Sequence, residues 1–156
     1  MIPKRNYIFF CIIVLLVILT TIFAALIYKR NEVKEFSYIY DKISELNSKD
    51  LFNYLLETPD CIIYMSDKYN LNNNIFERNF VNTMQKENIL DYVVFLDYNT
   101  LNKKTKKEFK EKFSYDLDNY SFPIIITYVD GEVTSIKTIS EVNNDFSNSV
   151  DFEALK

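Results

Sequence analysis

Twenty-two consecutive positions, Tyr7 to Tyr28, carry no charge. At a rise of about 1.5 Å per residue they extend about 33 Å as a helix, which matches a hydrocarbon core of about 30 Å. The pattern predicts a membrane-spanning helix over 7–28 behind a short tail of residues 1–6, with an interfacial tyrosine at each end. The competing reading is a secretory signal peptide, with Lys4 and Arg5 as its basic start and Ala24-Ala25 as a small-residue cleavage site. The apolar run is longer than the usual signal core, and Lys29-Arg30 follow it at once, which favours an uncleaved anchor.

Beyond residue 31 the periodicity changes repeatedly. Val33, Phe36, Ile39, Tyr40, Ile43 and Leu46 recur at three and four residues, and Leu51, Leu55 and Leu56 follow after a break. This predicts two helices between Glu32 and Glu57, or one kinked at Asn47-Ser48, with Ser48 as an N-cap and Thr58-Pro59 as the stop. Cys61 to Met65 is a short apolar run between Pro59 and the polar stretch Ser66 to Asn74, the pattern of a buried strand followed by a loop. A helix capped by Asn74 carries Phe76, Phe80, Val81 and Met84 on one stripe, and Tyr92 to Leu96 is a second buried strand.

Asn102 to Tyr115 sets Phe109 and Phe113, continued by Leu117, against lysines at 103, 104, 106, 107, 110 and 112, an amphipathic surface helix. Pro123 opens the run Ile124 to Val129, Asp130-Gly131 supplies a tight turn, and Glu132 to Ile139 alternates back. The chain has one glycine, and it stands at this turn, where positive φ is needed. Ser140 is an N-cap for a last helix through Phe146, Val150 and Leu155. Helices alternating with strands predict an α/β domain over 32–156, a central sheet with right-handed crossovers and an antiparallel edge.

Composition narrows the chemistry. There is no histidine and no tryptophan, and the abundance of Ile, Asn, Lys, Tyr and Phe fits an AT-rich bacterial genome. After residue 31 the chain holds 14 Lys and Arg against 22 Asp and Glu, a net of −8, which disfavours nucleic acid and anionic lipid as partners. Without histidine, and with one cysteine in the domain, no metal site is expected, and no acidic run has the calcium-loop spacing. Cys11 lies in the apolar helix and Cys61 in a strand, so no disulfide is expected. Asp116, Asp118, Asp130 and Glu132 fall at loops and turns, where carboxylates serve local hydrogen bonding, and no catalytic constellation or cofactor is expected. The lysine face of residues 103–112 reads as solvated, with Lys107–Glu111 and Glu108–Lys112 as i,i+4 pairs. Basic residues at the two ends of the apolar helix nearly balance; a short tail before an anchor favours the domain outside the cytoplasm.

The succession of strand Cys61 to Met65, loop, helix, strand Tyr92 to Leu96, helix, and then Ser121-Phe122-Pro123 opening a strand into an Asp130-Gly131-Glu132 hairpin resembles the thioredoxin fold. The segment Ser121 to Val133 looks like that family's cis-proline strand and hairpin. The chain is similar in layout to small membrane-anchored thioredoxin-like proteins of low-GC Gram-positive bacteria, related to bacteriocin-transport accessory proteins. The resemblance implies a thioredoxin-like mixed sheet flanked by helices. Redox members carry Cys-x-x-Cys at the head of the helix after the first core strand, where the helix dipole stabilises a thiolate. Here that place reads Ser66 to Asn74 and contains no thiol. The resulting expectation is a redox-inactive, single-pass module of the cell envelope that binds a protein or peptide. Its expected binding residues are Asp67, Lys68, Tyr69 and Asn70 in the loop, facing Phe122 and Pro123. Two alternatives stand beside it: a single-thiol enzyme using Cys61, and a structural subunit of an envelope or transporter complex.

Overall fold

The computed structural model describes residues 4–30 and 35–142, and the chain divides into two compact units, Met1–Lys34 and Glu35–Lys156. In the first unit, α1 runs Lys4–Arg30, and its segment Phe9–Ile27 is long and apolar enough to cross a membrane. The apolar side chains lie all round the helix and are exposed. Thr20 and Thr21 hide their hydroxyls by donating to carbonyls three and four residues back.

The second unit is a five-stranded mixed sheet with helices on both faces. In chain order its elements are β1 (Ser44–Glu45), α2 (Leu51–Glu57), β2 (Cys61–Ser66), α3 (Asn74–Lys86), β3 (Val93–Asp97), α4 (Lys103–Phe113), β4 (Ile124–Val129), β5 (Glu132–Thr138) and α5 (Ile139–Val142). The strands lie in the order β1-β3-β2-β4-β5. β1 and β2 both pair with β3 in parallel, while β4 runs antiparallel to β2 and to β5. Parallel neighbours require a long crossover, which α3 supplies between β2 and β3.

Pleating divides the sheet residues between two cores. Ile62, Tyr64, Phe95, Ile125 and Val129 face α3, which contributes Phe76, Phe80, Val81 and Met84. Cys61, Ile63, Met65, Leu96, Ile124, Ile126 and Tyr128 face α2 and α4, which contribute Leu51, Leu55 and Phe109. Every residue of β2, β3 and β4 is buried, which explains why these strands read as continuous apolar runs instead of alternating ones.

The α4 helix starts where Asn102 Oδ1 accepts the Thr105 N–H at 3.0 Å, and it ends on Ser114 at φ 63°. At the hairpin both Asp130 (φ 53°) and Gly131 (φ 82°) are left-handed, the type I′ geometry that matches strand twist. A bulge interrupts the β4–β5 register between Thr127 and Tyr128.

The helix expected from Glu32 through Leu46 is absent from its described part. Residues 38–42 form turns and Ser44–Glu45 form a short edge strand. Long-range hydrogen bonds outcompete the helical ones here: the N–H groups of Ser37, Tyr38 and Ile39 donate to the Lys68 carbonyl, the Asn74 amide oxygen and the Glu77 carboxylate. Ser48 is not an N-cap either, because its hydroxyl donates to the Thr100 carbonyl and α2 begins at Leu51. Asn73 holds the N-cap position of α3, since the Asn74 side chain is occupied by Tyr38. β3 begins one residue later than expected because Leu90–Tyr92 forms a 3₁₀ turn, and Leu71–Asn73 in the expected loop is another.

Ser140 lies inside α5; the residue that embraces its first turn is Thr138, whose N–H and hydroxyl both donate to Glu141 at 2.7 Å. Phe146, Val150 and Leu155 of the expected last helix lie outside the described residues. On α4, Lys107 pairs with Glu111 at 3.3 Å, whereas Lys112 lies over the Phe52 ring at 5.6 Å.

Candidate functional site

The carboxyl ends of β2 and β3 and the start of β4 meet at one end of the sheet, because Ser66 pairs with Asp97 and Met65 with Ile124. The loop Asp67 to Asn70 and the segment Phe122-Pro123 are therefore neighbours across β2. The Phe122–Pro123 bond is cis. Pro123 is buried and Phe122 half-buried.

Within the loop, two of the four expected residues hold its shape. Asp67 Oδ1 accepts the Tyr69 N–H at 2.9 Å and Asn70 Oδ1 accepts the Asn72 N–H at 3.0 Å, both Asx turns. Lys68 is at the centre: its Nζ lies 3.7 Å from a Glu45 oxygen and 3.7 Å from an Asp97 oxygen, and 5.7 Å from the Tyr40 and Tyr69 ring centres. Burial alone would lower its pKa, but Glu45, Tyr40, Tyr69 and Asp97 outweigh that and raise it, so Lys68 stays an ammonium.

Phe122 and Tyr69 make separate ring contacts at this shared sheet end. Phe122 packs on Tyr98 with ring centres 3.8 Å apart, against the core beneath α4, and Lys106 covers Tyr98 at 4.4 Å. Tyr69 stacks on Phe36 at 5.4 Å, and Phe36 stacks on Tyr40, which abuts Phe95 in the core beneath α3. Lys68 and Asp97 belong to the Tyr40–Tyr69 group, whereas Lys106 accompanies the Tyr98–Phe122 pair.

Among the described residues this end carries no thiol. Cys61 sits at the opposite end of β2, about 17 Å away at 3.3 Å per residue. It is fully buried, and burial, helped by the neighbouring Asp60 carboxylate, pushes its thiol up to about 12. Among the described residues no group of His, Cys, Asp and Glu could hold a metal ion. What the site offers is one ammonium held by Glu45 and Asp97, with the Tyr40 and Tyr69 rings beside it.

Two polar features escaped sequence reasoning. Glu77 is completely buried on α3, accepting from Ile39 N–H at 3.1 Å and from the Tyr64 hydroxyl at 3.0 Å. A signal was present, since Glu77, Val81 and Met84 fall on one helical stripe. Ser66 closes β2 with a buried hydroxyl that has no hydrogen-bond partner among the described residues; nothing in the sequence distinguished it from a loop serine.

No protein-family model matches the sequence, and no curated protein is significantly similar to it.

Proposed function

We propose that the chain is a membrane-tethered, redox-inactive thioredoxin-like module whose sheet end binds a protein or peptide at the cell envelope. The observation that carries this reading is the strand order β1-β3-β2-β4-β5, which sets Asp67 to Asn70 beside Phe122-Pro123 while leaving the domain's thiol buried at the far end of β2. A mixed sheet flanked by helices, with parallel β2 and β3 and an antiparallel β4–β5 hairpin, agrees with the arrangement the resemblance implies, and a cis Phe122–Pro123 bond stands at the head of β4. Recognition suits the groups present better than chemistry does. The Tyr40 and Tyr69 rings beside Lys68, the Tyr98–Phe122 pair and the carboxylates of Glu45 and Asp97 favour a partner segment with apolar and basic side chains, as does the domain's net negative charge. In this reading α1 is the tether, and the domain lies outside the cytoplasm.

In-cell photocrosslinking tests the proposal. A photoreactive residue at Asn70 should give a discrete adduct that is lost when Phe122→Ala is added, whereas one at Glu132, at the opposite end of the sheet, should give none. Equal labelling from both positions, or an Asn70 adduct indifferent to Phe122→Ala, rejects the site.

A further inference from the structure

The aromatic side chains beside Lys68 differ in how firmly each is held. Phe36 stacks on Tyr40 with ring centres 4.6 Å apart and planes 22° from parallel, and on Tyr69 at 5.4 Å and 23°. Tyr40 is fixed at both ends: its hydroxyl donates to Glu45 at 2.8 Å, and its ring stands at 86° to that of the buried Phe95 at 5.2 Å. The backbone that carries Tyr69 is fixed too, since its N–H donates to Asp67 and the carbonyl of Lys68 accepts the Ser37 N–H at 2.8 Å.

Phe36 has no comparable hold. Among the described residues its backbone makes no hydrogen bond, and the capture of this segment starts only at the Ser37 N–H. Rotation about the bonds of Phe36 itself can therefore lift the ring off Tyr40 and Tyr69 while the hydrogen bonds of Ser37, Tyr38 and Ile39 stay in place. The ring is 40 % exposed, so its path to solvent is open. What holds it is chiefly the two stacks, and an aromatic pair of this kind shifts an equilibrium by about twofold to tenfold.

We propose that the place taken by the Phe36 ring, stacked on Tyr40 and Tyr69 beside Lys68, is a subsite for an aromatic side chain of the partner segment, and that Phe36 fills it in the absence of a partner. The inference rests on the reading of this sheet end as a peptide-binding site and names the residue class that the site selects. Near-parallel stacking on two tyrosines rewards a flat π face and gives an aliphatic side chain less. The occupant seen here is itself a phenylalanine ring, presented from a stretch outside any helix or strand. Phe36 is then a competitor within the same chain: the apparent affinity for the partner is reduced by the fraction of molecules whose subsite is filled, and removing the ring restores it.

The test is the yield of the in-cell photocrosslink from Asn70 in variants of the full chain. Phe36→Ala empties the subsite and should raise the yield about twofold to tenfold over the native chain. Phe36→Tyr keeps a ring there and should leave the yield at the native level. Tyr69→Ala added to Phe36→Ala removes one stacking partner and should cancel the gain. Hydrogen exchange at the Ile39 amide of the purified chain in detergent should be the same with and without Phe36→Ala; faster exchange would mean that the ring holds the whole segment, and overturns the inference. A yield that falls in Phe36→Ala makes Phe36 part of the binding surface and also overturns it, as does a gain that survives Tyr69→Ala. An adduct that is lost on Phe122→Ala but indifferent to Phe36→Ala overturns the subsite and leaves the sheet-end reading standing. An adduct of twice the mass of the chain overturns the partner segment in favour of a second copy. Absence of the Asn70 adduct from every variant rejects the sheet-end reading and the subsite together.

Discussion

Glu77 permits a prediction with a definite sign. Its carboxylate is buried without an ion pair among the described residues, and burial outweighs the hydrogen bonds from Ile39, Tyr64 and Tyr38 in holding its pKa above the ordinary value. The native state therefore binds this proton more tightly than the unfolded chain. Stability is unaffected below the unfolded pKa and falls as pH rises through the higher, folded one. Glu77→Gln mimics the protonated carboxyl: its amide oxygen can accept from Ile39 while its NH₂ donates to the Tyr64 oxygen. The variant should be more stable than the native protein near pH 8, and the advantage should shrink toward pH 5. Tyr64→Phe removes a donor to a buried anion and should cost about 1.5–3 kcal/mol at neutral pH, but only about 0.5–1.5 kcal/mol in the Glu77→Gln background. The double-mutant cycle should thus return a coupling of about 1 kcal/mol or more. Urea unfolding of the full chain in detergent, followed by circular dichroism at several pH values, measures both quantities. A Glu77→Gln advantage that grows as pH falls, or a Tyr64→Phe penalty identical in the two backgrounds, would refute the reasoning.

Further outcomes are as specific. In a Cys11→Ser background, Cys61 should react with maleimide at pH 8 only as fast as the domain opens; a rate near that of an exposed thiol would revive a redox role for it. Asn102→Ala removes the Oδ1 acceptor that caps α4 and should cost about 1 kcal/mol in urea unfolding, while Asn102→Asp should cost much less. Gly131→Ala meets no atom closer than 4.0 Å, so its cost of about 1 kcal/mol comes from the backbone alone, and Gly131→Asn should recover part of it in the same assay. Ser66→Ala deletes a buried hydroxyl that has no partner among the described residues and should leave thermal stability unchanged or raise it; a loss above about 1 kcal/mol would mean the hydroxyl is bonded in solution.

The parts of the fold legible in the sequence are those fixed by local chemistry. The Asp130-Gly131 turn, the stripe of α3, the amphipathic pattern of α4 and the apolar runs of β2 and β4 each carry their signal within a dozen residues. The segment 35–46 misleads because its i,i+3 and i,i+4 apolar spacing is real while its hydrogen-bond partners lie 36 and 38 residues away, at Asn74 and Glu77. Periodicity reports which residues want burial, not which partner their backbone will find. Ile39 and Leu46 are buried as that spacing predicts, yet on a turn and after an edge strand rather than on a helix. The two segments of the candidate site, Asp67 to Asn70 and Phe122-Pro123, come from the resemblance, and each adjoins a strand end, after β2 and before β4. Lys68 reaching Glu45 and Asp97, and the separation of the Tyr69 and Phe122 aromatic groups, depend on β1 and on the sheet order, which no short stretch encodes.

The consecutive amides of Ser37, Tyr38 and Ile39, each caught by a different partner, also define how the domain carries load. A pull transmitted through its N-terminal linker arrives at three hydrogen bonds made to a loop and to the first turn of α3, before any strand of the sheet is strained. Tension applied at Glu35 would meet these three bonds before it met the sheet, so they would part while the five strands keep their register.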